Sequence, residues 1–262
     1  MLRLDNVSCK IGQRVIFDGV SFVVNPGEIV CLLGANGAGK STLLKSICSD
    51  LKFKGNILLN DVPLSQYDLT SLAKIRSVMP QKVNLNFAFS CYDVVAMGRN
   101  VHNQILTDTD KRIIKKCMQL CGVWGFCELR YPYLSGGEQQ RVQLARVLAQ
   151  IHLDENDHSC QPRLLLLDEC TSSLDPKFQH QVYRILSSLK KQNIAILSVV
   201  HDINLASQYA DRILLLSDGQ LIEDASPVQA INTKSMLQTY DLHTQVIKHQ
   251  CVDRPVVIAL EQ

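Results

Sequence analysis

The sequence predicts an α/β fold in which a mostly parallel sheet carries helices on both faces. Its second half contains mainly apolar segments, among them Leu164–Asp168 and Ile194–Val200, which are typical of strands buried on both faces of a sheet. Between these two runs, apolar residues recur at helical spacing from Phe178 to Leu189, and a third run, Arg212–Ser217, follows. Such alternation of buried strands and helices favours a parallel sheet.

Residues 1–82 alternate short strands and turns before the first helix. The run Ile29–Leu33 predicts a strand, and the helix after it is indicated by apolar residues three or four positions apart: Leu43, Leu44, Ile47, Cys48 and Leu51. The glycine-rich segment Gly34–Ser41 lies between that strand and that helix. This is the context of a phosphate-binding loop, because glycines let backbone N–H groups turn inward and the helix aims its positive dipole end at the anion.

The residue types in this loop suit the phosphates of a nucleotide. The Lys40 ammonium would reach the β- and γ-phosphates, and the Ser41 hydroxyl would coordinate Mg²⁺. We therefore expect the chain to bind a nucleoside triphosphate. The residues expected around the phosphates are Gly34, Ala35, Asn36, Gly37, Ala38, Gly39, Lys40, Ser41 and Thr42.

Residues 88–150 read mainly as helical, and the last helix of this region follows the motif Leu134–Gln139. Its apolar residues keep helical spacing: Val142, Ala145, Leu148 and Ala149. Ser135 and Glu138 lie three positions apart, as in the capping box of an ordinary helix start. Gly136 and Gly137 would also let a phosphate approach closely, so the motif alone leaves a second anion-binding helix terminus open.

Polar residues at the ends of the predicted strands could serve hydrolysis. Asp168 ends a buried strand and can hold Mg²⁺ through water, and Glu169 can orient or deprotonate an attacking water. His201 directly follows the next strand, where a single histidine is more often structural, but its imidazole can contact a γ-phosphate. Gln81 has a neutral side chain able to reach both Mg²⁺ and water.

In this order the motifs resemble those of the ATP-binding cassette (ABC) ATPases, from Leu2 to about Leu242. The resemblance implies a P-loop NTPase fold: a RecA-like, mostly parallel core, an antiparallel β subdomain and an inserted helical subdomain. It also implies the Walker A loop Gly34–Ser41, the Q-loop Gln81, the signature Ser135–Gln139, the Walker B strand Leu164–Asp168, the catalytic carboxylate Glu169, the D-loop Ser172–Asp175 and the switch histidine His201. Lys40, Gln81, Glu169 and His201 would act in catalysis, Ser41, Gln81 and Asp168 would hold Mg²⁺, and Ser135, Gly136, Gly137 and Glu138 would contact ATP.

The family's chemistry also implies partners. In ABC proteins the signature of one chain caps ATP held by the Walker A loop of a second chain. One cassette in 262 residues therefore implies a second cassette, most simply another copy in a head-to-tail, two-fold dimer. The resemblance further implies two transmembrane permease subunits and, through them, a periplasmic or surface substrate-binding protein. The segment from Lys82 to Asn100, with Leu85, Phe87, Phe89 and Tyr92, is expected to face the permease, although these side chains could equally be packed in the interior.

Within the family the chain is most similar to import ATPases for iron chelates, vitamin B12 and haem, and best fits the haem-import group. The stretches that carry this similarity are Tyr131–Gln150, the insertion before Pro162–Arg163, Met97–His102, Val246–His249 and Arg254–Val257. The resemblance therefore implies the ATPase subunit of a haem importer. ATPases for ferric siderophores or vitamin B12 remain the alternative, because none of these stretches would touch the cargo.

The motifs divide the chain into an ABC domain at 2–242 and a tail at 243–262. We expect a core at 1–82 and 162–226, a helical subdomain at 88–150 and a surface insertion at 151–161, which is polar and lacks periodicity. The tail contains two short strand-like runs, Gln245–Lys248 and Val256–Leu260, and a small hairpin is expected there.

Composition excludes several classes of protein. Lys and Arg total 27 against 25 Asp and Glu, and this net charge of +2 gives no sign of a nucleic-acid-binding face. The longest apolar runs have five residues, whereas a membrane span needs about 20, and no signal peptide is evident. The ten scattered cysteines form no CxxC pair and are expected to be free thiols. We therefore expect a soluble, cytosolic protein, and the resemblance implies a peripheral position at the cytoplasmic face of the inner membrane.

Two positions depart from the family pattern. Ile11 stands where most ABC ATPases stack an aromatic on the adenine, so base recognition should rest on weaker apolar contact. Cys170 stands where proline usually follows the catalytic glutamate. It could be a small apolar substitution or a thiol open to chemical modification near the site.

Two other classes of protein share part of this pattern. A small-molecule kinase has the phosphate loop but no use for the motif Leu134–Gln139. A non-transport ABC protein resembles either two cassettes in one chain or a cassette split by a long coiled coil, and this chain has one cassette and no sustained heptads.

Overall fold

The computed structural model describes residues 1–81, 85, 87–152, 161–249 and 252–260. Its strands are, in chain order, β1 (Leu2–Ile11), β2 (Arg14–Val24), β3 (Ile29–Leu33), β4 (Lys54–Leu59), β5 (Val62–Pro63), β6 (Arg76–Met79), β7 (Arg163–Asp168), β8 (Ile194–Val199), β9 (Arg212–Ser217), β10 (Gln220–Ala225), β11 (Thr244–His249) and β12 (Val252–Ala259). Its α-helices are α1 (Lys40–Ile47), α2 (Leu69–Ile75), α3 (Cys91–Ala96), α4 (Asp108–Leu120), α5 (Gly136–Ile151), α6 (Pro176–Leu189), α7 (Ile203–Tyr209), α8 (Pro227–Ala230) and α9 (Thr233–Tyr240).

The chain divides into two compact units. The first combines Met1–Gln66 with Ala195–Gln262, and the second is Tyr67–Ile194. Within the described ranges, every helix is too short or too polar to cross a membrane. The cysteines of those ranges are free thiols that are buried or half-buried, as the sequence predicts for the free thiols, and Cys117 and Cys121 lie in the core.

The first unit contains an antiparallel sheet and a mainly parallel one. β1 pairs antiparallel with β2 and with β4. β3 lies parallel to both β8 and β9, and β10 closes this edge antiparallel to β9. All five residues of β3 are buried, because helices cover both faces of a parallel sheet. The predicted α/β class with parallel core strands and an antiparallel part is confirmed.

The second unit joins a pair of parallel strands to a group of helices. β6 runs parallel to β7, and α5 packs against both strands and against α3 and α4. The Ser77 hydroxyl of β6 donates a 3.0 Å hydrogen bond to the Val147 carbonyl of α5. The buried residues of α5 include the four apolar residues that predicted it. Residues 153–160 lie outside the described ranges, so the expected surface insertion stays a prediction.

A buried charge cluster holds the helices of the second unit together. Arg99 and Asp110 form an ion pair of 2.8 Å, and their side chains are only 5% and 1% exposed. The Arg99 guanidinium also donates to the carbonyls of Ala149 and His152, each at 2.7 Å. These contacts join the turn after α3 to the start of α4 and to the C-terminal end of α5. Because every charge in the cluster has a partner, it can lie in the interior.

The C-terminal residues form an antiparallel hairpin of β11 and β12, which contains the predicted run Gln245–Lys248 and the run Val256–Leu260 except for its last residue. The hairpin packs against α7 of the same unit. The buried Ser207 hydroxyl donates to the Pro255 carbonyl at 2.6 Å, and the Asn204 side chain forms two hydrogen bonds with the backbone of Val257.

Candidate functional site

The phosphate loop follows the buried strand β3 and ends at the start of α1. Gly34, Gly37 and Gly39 all have positive φ angles, of 156°, 84° and 105°. At Gly34 a side chain is excluded, because a Cβ would lie 2.2 Å from the carbonyl oxygen of Leu216. Glycine is therefore required where the loop leaves the sheet, as the sequence predicts.

The Lys40 side chain folds back into the loop. Its ammonium donates to the carbonyls of Gly34 at 2.6 Å and Ala35 at 2.9 Å, and the residue is only 6% exposed. Asn36 and Gly37 at the tip of the loop are exposed. No side chain caps the start of α1 and no acidic residue lies in its first turn. This arrangement favours an anion at the helix start, since the first N–H groups of a helix need partners and its dipole is positive there.

His201 lies at the same edge of the first unit's parallel sheet as the phosphate loop. β8 is the parallel neighbour of β3, and the Val200 N–H donates to the Leu32 carbonyl at 3.2 Å. His201 is exposed, and Asp202 after it caps α7 by accepting from the Leu205 N–H at 2.9 Å. The carboxyl ends of neighbouring parallel strands are where α/β proteins bind ligands.

The second unit brings Gln81 and Glu169 into direct contact. β6 and β7 are parallel neighbours, and Met79 lies opposite Leu167 near the ends of the two strands. The Gln81 side-chain amide donates to the Glu169 carboxylate at 2.6 Å. Asp168, the last residue of β7, is 7% exposed. The residue types predicted for Mg²⁺ and water thus meet at one edge of this unit.

Glu169 has a strained backbone. Its φ angle is 52°, in the left-handed region that residues with a Cβ adopt at a cost. The D-loop folds back on it, because the Ser172 hydroxyl donates to the Glu169 carbonyl at 3.1 Å. Sparsely populated conformations of this kind cluster at functional sites, where surrounding contacts hold them in place.

Gln140 of α5 is a residue that the sequence interpretation missed. Its side-chain amide donates to the Glu169 carbonyl at 3.1 Å, and its oxygen accepts from the Ser173 N–H at 3.2 Å. Gln140 therefore links the signature helix to the loop after β7. The only signal in the sequence was a polar residue within the predicted helix, and such a residue does not indicate what it contacts.

The signature forms the capping box that its spacing predicts. The Ser135 backbone N–H and hydroxyl both donate to the Glu138 carboxylate, at 2.8 and 2.7 Å, and the Glu138 N–H donates to the Ser135 hydroxyl at 3.4 Å. Hydrogen bonds from the Ser135 hydroxyl and then from its N–H hold the pKa of Glu138 below its ordinary value. Ser135 and Gly136 are exposed, so a ligand can reach this helix start. The capping interpretation is confirmed, and a role in binding ATP stays a prediction.

The two departures from the family pattern have different surroundings. Ile11, at the end of β1, is 52% exposed, so its apolar side chain is open to contact with a ligand. Cys170 is only 2% exposed. Its burial supports the interpretation as a small apolar substitution rather than as a thiol open to modification.

The segment after Gln81 has one well-exposed aromatic residue. Phe87 is 72% exposed and makes an edge-to-face contact with the half-buried Phe89, with 6.0 Å between ring centroids. The Arg130 guanidinium donates to the Ala88 carbonyl at 2.6 Å, and the Tyr131 N–H donates to the Phe89 carbonyl at 2.9 Å. Leu85 is half-buried, and Lys82–Asn84 and Asn86 lie outside the described residues.

Comparison with known proteins places this geometry in one family. The family model described as ABC transporter matches residues 17–172. The chain is 38% identical to the hemin import ATP-binding protein HmuV of Gloeobacter violaceus, covering 99% of this chain and 94% of that protein. It is 40% identical to the protein of the same name from Vibrio parahaemolyticus, covering 97% of this chain and 96% of that protein.

Solved structures agree on the fold. The structure of an ABC transporter in an inward-facing conformation has a TM-score of 0.81 and 24% identity, covering 99% of this chain and 97% of that chain. A dimeric bacterial ABC transporter cassette has a TM-score of 0.74 and 26% identity, covering 86% of this chain and 98% of that chain.

Proposed function

Because this chain belongs to the ABC transporter family and is one of its ATP-binding, ATP-hydrolysing subunits, we propose that it supplies the energy for an importer of haem. The observation that supports haem as the cargo is the similarity, along almost the whole chain, to proteins named for hemin import, at 38–40% identity. The likeness includes the C-terminal part, since it covers 97–99% of this chain.

In the proposed reaction the first unit binds the phosphates of ATP. Lys40 turns its ammonium from the Gly34 and Ala35 carbonyls toward the β- and γ-phosphates, while the N–H groups of Gly37–Thr42 surround them. The exchange involves little desolvation, because the ammonium is already buried against carbonyl oxygens. His201 contacts the γ-phosphate from the neighbouring strand.

Glu169 acts on the attacking water in this proposal. The Gln81 amide holds one carboxylate oxygen at 2.6 Å, which orients the other toward water. The left-handed φ of 52° and the contacts from Ser172 and Gln140 fix where the carboxylate can point. Preorganised groups of this kind lower the barrier because they need not rearrange during the reaction.

The residues proposed for Mg²⁺ fit its chemistry. Ser41, Gln81 and Asp168 offer a hydroxyl, an amide and a carboxylate oxygen, and hard oxygen donors are what Mg²⁺ prefers. Gln81 donates through its amide nitrogen to Glu169, so its oxygen is directed elsewhere. When bound with ATP, the ion would neutralise charge on the phosphate oxygens.

The proposed assembly is a homodimer that closes around ATP. The signature start, in which Ser135 and Gly136 are exposed and Gly137 is half-buried, would contact the γ-phosphate held by the other copy, and the reverse contact would be identical by symmetry. A cassette of similar fold forms a dimer. The dimer would sit at the cytoplasmic face of the inner membrane on two permease subunits, which receive haem from a periplasmic or surface binding protein. The exposed Phe87 and its surroundings would meet the permease.

ATP hydrolysis is tested by Lys40→Ala. Removing the ammonium should lower kcat about a hundredfold or more without unfolding the protein, because a charge-assisted contact to the phosphates is lost. Lys45→Ala, which removes an exposed lysine from the same helix, is the matched control and should hydrolyse ATP normally. Turnover of Lys40→Ala within threefold of wild type would exclude the assigned phosphate site.

The cargo is tested in a strain that lacks the gene and depends on supplied iron. We expect the wild-type gene to restore growth on haem, and Glu169→Gln, which keeps the fold but loses the base, not to restore it. Uptake of labelled haem, ferric siderophore and vitamin B12 should be measured in parallel. If haem uptake does not depend on the gene but uptake of the ferric siderophore or of vitamin B12 does, haem is not the cargo. The compound whose uptake depends on the gene would then be the cargo.

A further inference from the structure

The first glycine of the phosphate loop is hydrogen-bonded to a residue 206 positions later in the chain. The Gly34 N–H donates to the hydroxyl oxygen of Tyr240 at 3.0 Å. Tyr240 is the last residue of α9 and is half-buried, and both residues belong to the first unit.

Gly34 also connects this tyrosine to the lysine of the loop. Its carbonyl accepts from the Lys40 ammonium at 2.6 Å, so one residue is bonded through its N–H to Tyr240 and through its carbonyl to Lys40. Gly34 also lies close to β9, because the Leu216 carbonyl oxygen is 2.2 Å from the position that a Cβ of Gly34 would occupy. The conformation of this residue therefore determines where the ammonium rests.

The helix that carries Tyr240 is held from several sides. Asn232 and Ser235 form a capping box at the start of α9, and the Ser217 hydroxyl at the end of β9 donates to the Gln238 carbonyl at 3.3 Å. The hairpin of β11 and β12 packs on α9 through its first strand and on α7 through its second. These contacts give the hydroxyl a fixed place beside Gly34.

The Tyr240 hydroxyl stays neutral at physiological pH. Burial raises its pKa to about 12, although the hydrogen bond from Gly34 acts in the opposite direction. A neutral phenol accepts from a backbone N–H without placing a negative charge beside the phosphates of a nucleotide.

We propose that Tyr240 is a positioning residue of the phosphate loop, which fixes the Gly34 backbone and thereby holds the loop open and ordered for the phosphates before ATP binds. The proposal rests on the proposed function, in which Gly34–Ser41 binds ATP. It gives the C-terminal part of the chain, which carries none of the family's motifs, a share in nucleotide binding. Bound phosphates would order the loop by themselves. Loss of the Tyr240 contact should therefore weaken ATP binding and leave the hydrolysis rate of the bound complex nearly unchanged.

The test compares Tyr240→Phe with Thr239→Val. Tyr240→Phe keeps the ring and removes only the oxygen that accepts from Gly34. Thr239→Val removes a hydroxyl from the preceding residue of the same helix, and that hydroxyl is buried with no hydrogen-bond partner in the described part of the chain. ATPase kinetics, the Kd for ATP and amide exchange at Gly34 should be measured for both variants and for wild type.

For Tyr240→Phe we expect KM and Kd for ATP to rise about three- to tenfold while kcat stays within about twofold, since one hydrogen bond to a buried N–H is lost. Exchange of the Gly34 amide should accelerate about tenfold or more, with Gly37 as the internal reference. Thr239→Val should match wild type in each measurement.

Two results would overturn the proposal: unchanged ATP affinity and Gly34 exchange in Tyr240→Phe, or a Gly34 amide that exchanges as fast as an open loop in wild type. The second result needs no variant, so it decides the question even if Tyr240→Phe folds poorly. Failure of the proposed function is distinguishable, because Lys40→Ala would then hydrolyse ATP normally. An inactive Lys40→Ala beside a wild-type-like Tyr240→Phe would reject the role of Tyr240 alone.

Discussion

Single residues in this site combine chemistry with backbone strain. Glu169 follows β7 with a φ angle of 52°, where glycine would be relaxed, yet the proposed water activation needs a carboxylate at this position. The Gln81 amide at 2.6 Å and the D-loop hold the residue in place. The backbone conformation of Glu169 therefore lowers the stability of the fold at the position where the proposed reaction takes place.

The cost of this conformation can be measured by comparing Glu169→Gly with Glu169→Ala. Both variants lose the carboxylate and should be inactive in hydrolysis. Glu169→Gly should be more stable than Glu169→Ala by about 1 kcal/mol, because only alanine keeps the Cβ that the left-handed region disfavours. Chemical denaturation of both proteins gives this difference. Equal stability, or a more stable alanine variant, would mean that Glu169 is not strained.

The sequence predicts which residues belong to the site but not how they are arranged. The sequence predicts that the glycines of the phosphate loop serve its backbone conformation, and the structure shows this at Gly34. The bonds from Gln81 and Gln140 to Glu169, and from Gly34 to Tyr240, could not be predicted. They join residues far apart in the chain, and such contacts leave no periodicity or spacing to read.

At the scale of elements, apolar runs predicted the buried strands well. The bounds of β3 and β9 coincide with the predicted segments Ile29–Leu33 and Arg212–Ser217, because the buried residues of a strand covered on both faces are apolar: all five in β3 and the central four in β9. The first helix was predicted less well, since its apolar spacing continues to Leu51 whereas α1 ends at Ile47. Ser49 has a φ of 66°, and this left-handed residue ends the helix before the apolar pattern does.

The Arg99–Asp110 ion pair was not predicted either. Together with the bonds from Arg99 to the end of α5, it joins three helical elements. Burial alone would raise the pKa of Asp110, but hydrogen bonds from Thr107, Arg99 and Asn103 outweigh it and hold the pKa well below its ordinary value of 3.8. A carboxyl group whose folded-state pKa is lowered stabilises the fold above its unfolded pKa, and this contribution is lost as the pH falls toward the folded value.

We therefore expect Asp110→Asn to lower the stability of the protein by about 3 kcal/mol near pH 7, because Arg99 loses its buried counter-charge. The difference in Tm between wild type and variant should stay constant from pH 7 to 5 and narrow below about pH 4. Asp108→Asn is the matched control, since its side chain is 93% exposed on the same helix. A difference in Tm that is the same at pH 7 and pH 3.5 would contradict the expected pH dependence.

The segment after Gln81 allows a prediction about coupling to the membrane. Phe87→Asp should abolish haem uptake while basal ATP hydrolysis by the purified protein is retained, because a charge replaces an apolar contact at the permease. Leu69→Asp is the control, as Leu69 is another exposed apolar residue of the second unit, at 85% exposure against 72% for Phe87. Normal uptake by Phe87→Asp would place the permease contact elsewhere.

At the scale of the whole molecule, the proposed sites are shared between two copies. Mixing Ser135→Arg chains with Lys40→Ala chains should restore partial hydrolysis, because one of the two composite sites then has an intact Lys40 and an intact signature. Mixing Lys40→Ala with Glu169→Gln should restore none, since both residues act from the same chain. Recovery in both mixtures, or in neither despite proven heterodimers, would argue against sites completed in this way.

The capping box of the signature has a kinetic consequence for that assembly. Ser135 and Glu138 already satisfy each other in the single chain, so the start of α5 is folded before any partner arrives. Two chains loaded with ATP would then associate as rigid surfaces, without a slow ordering step, and their encounter rate would depend on diffusion and salt.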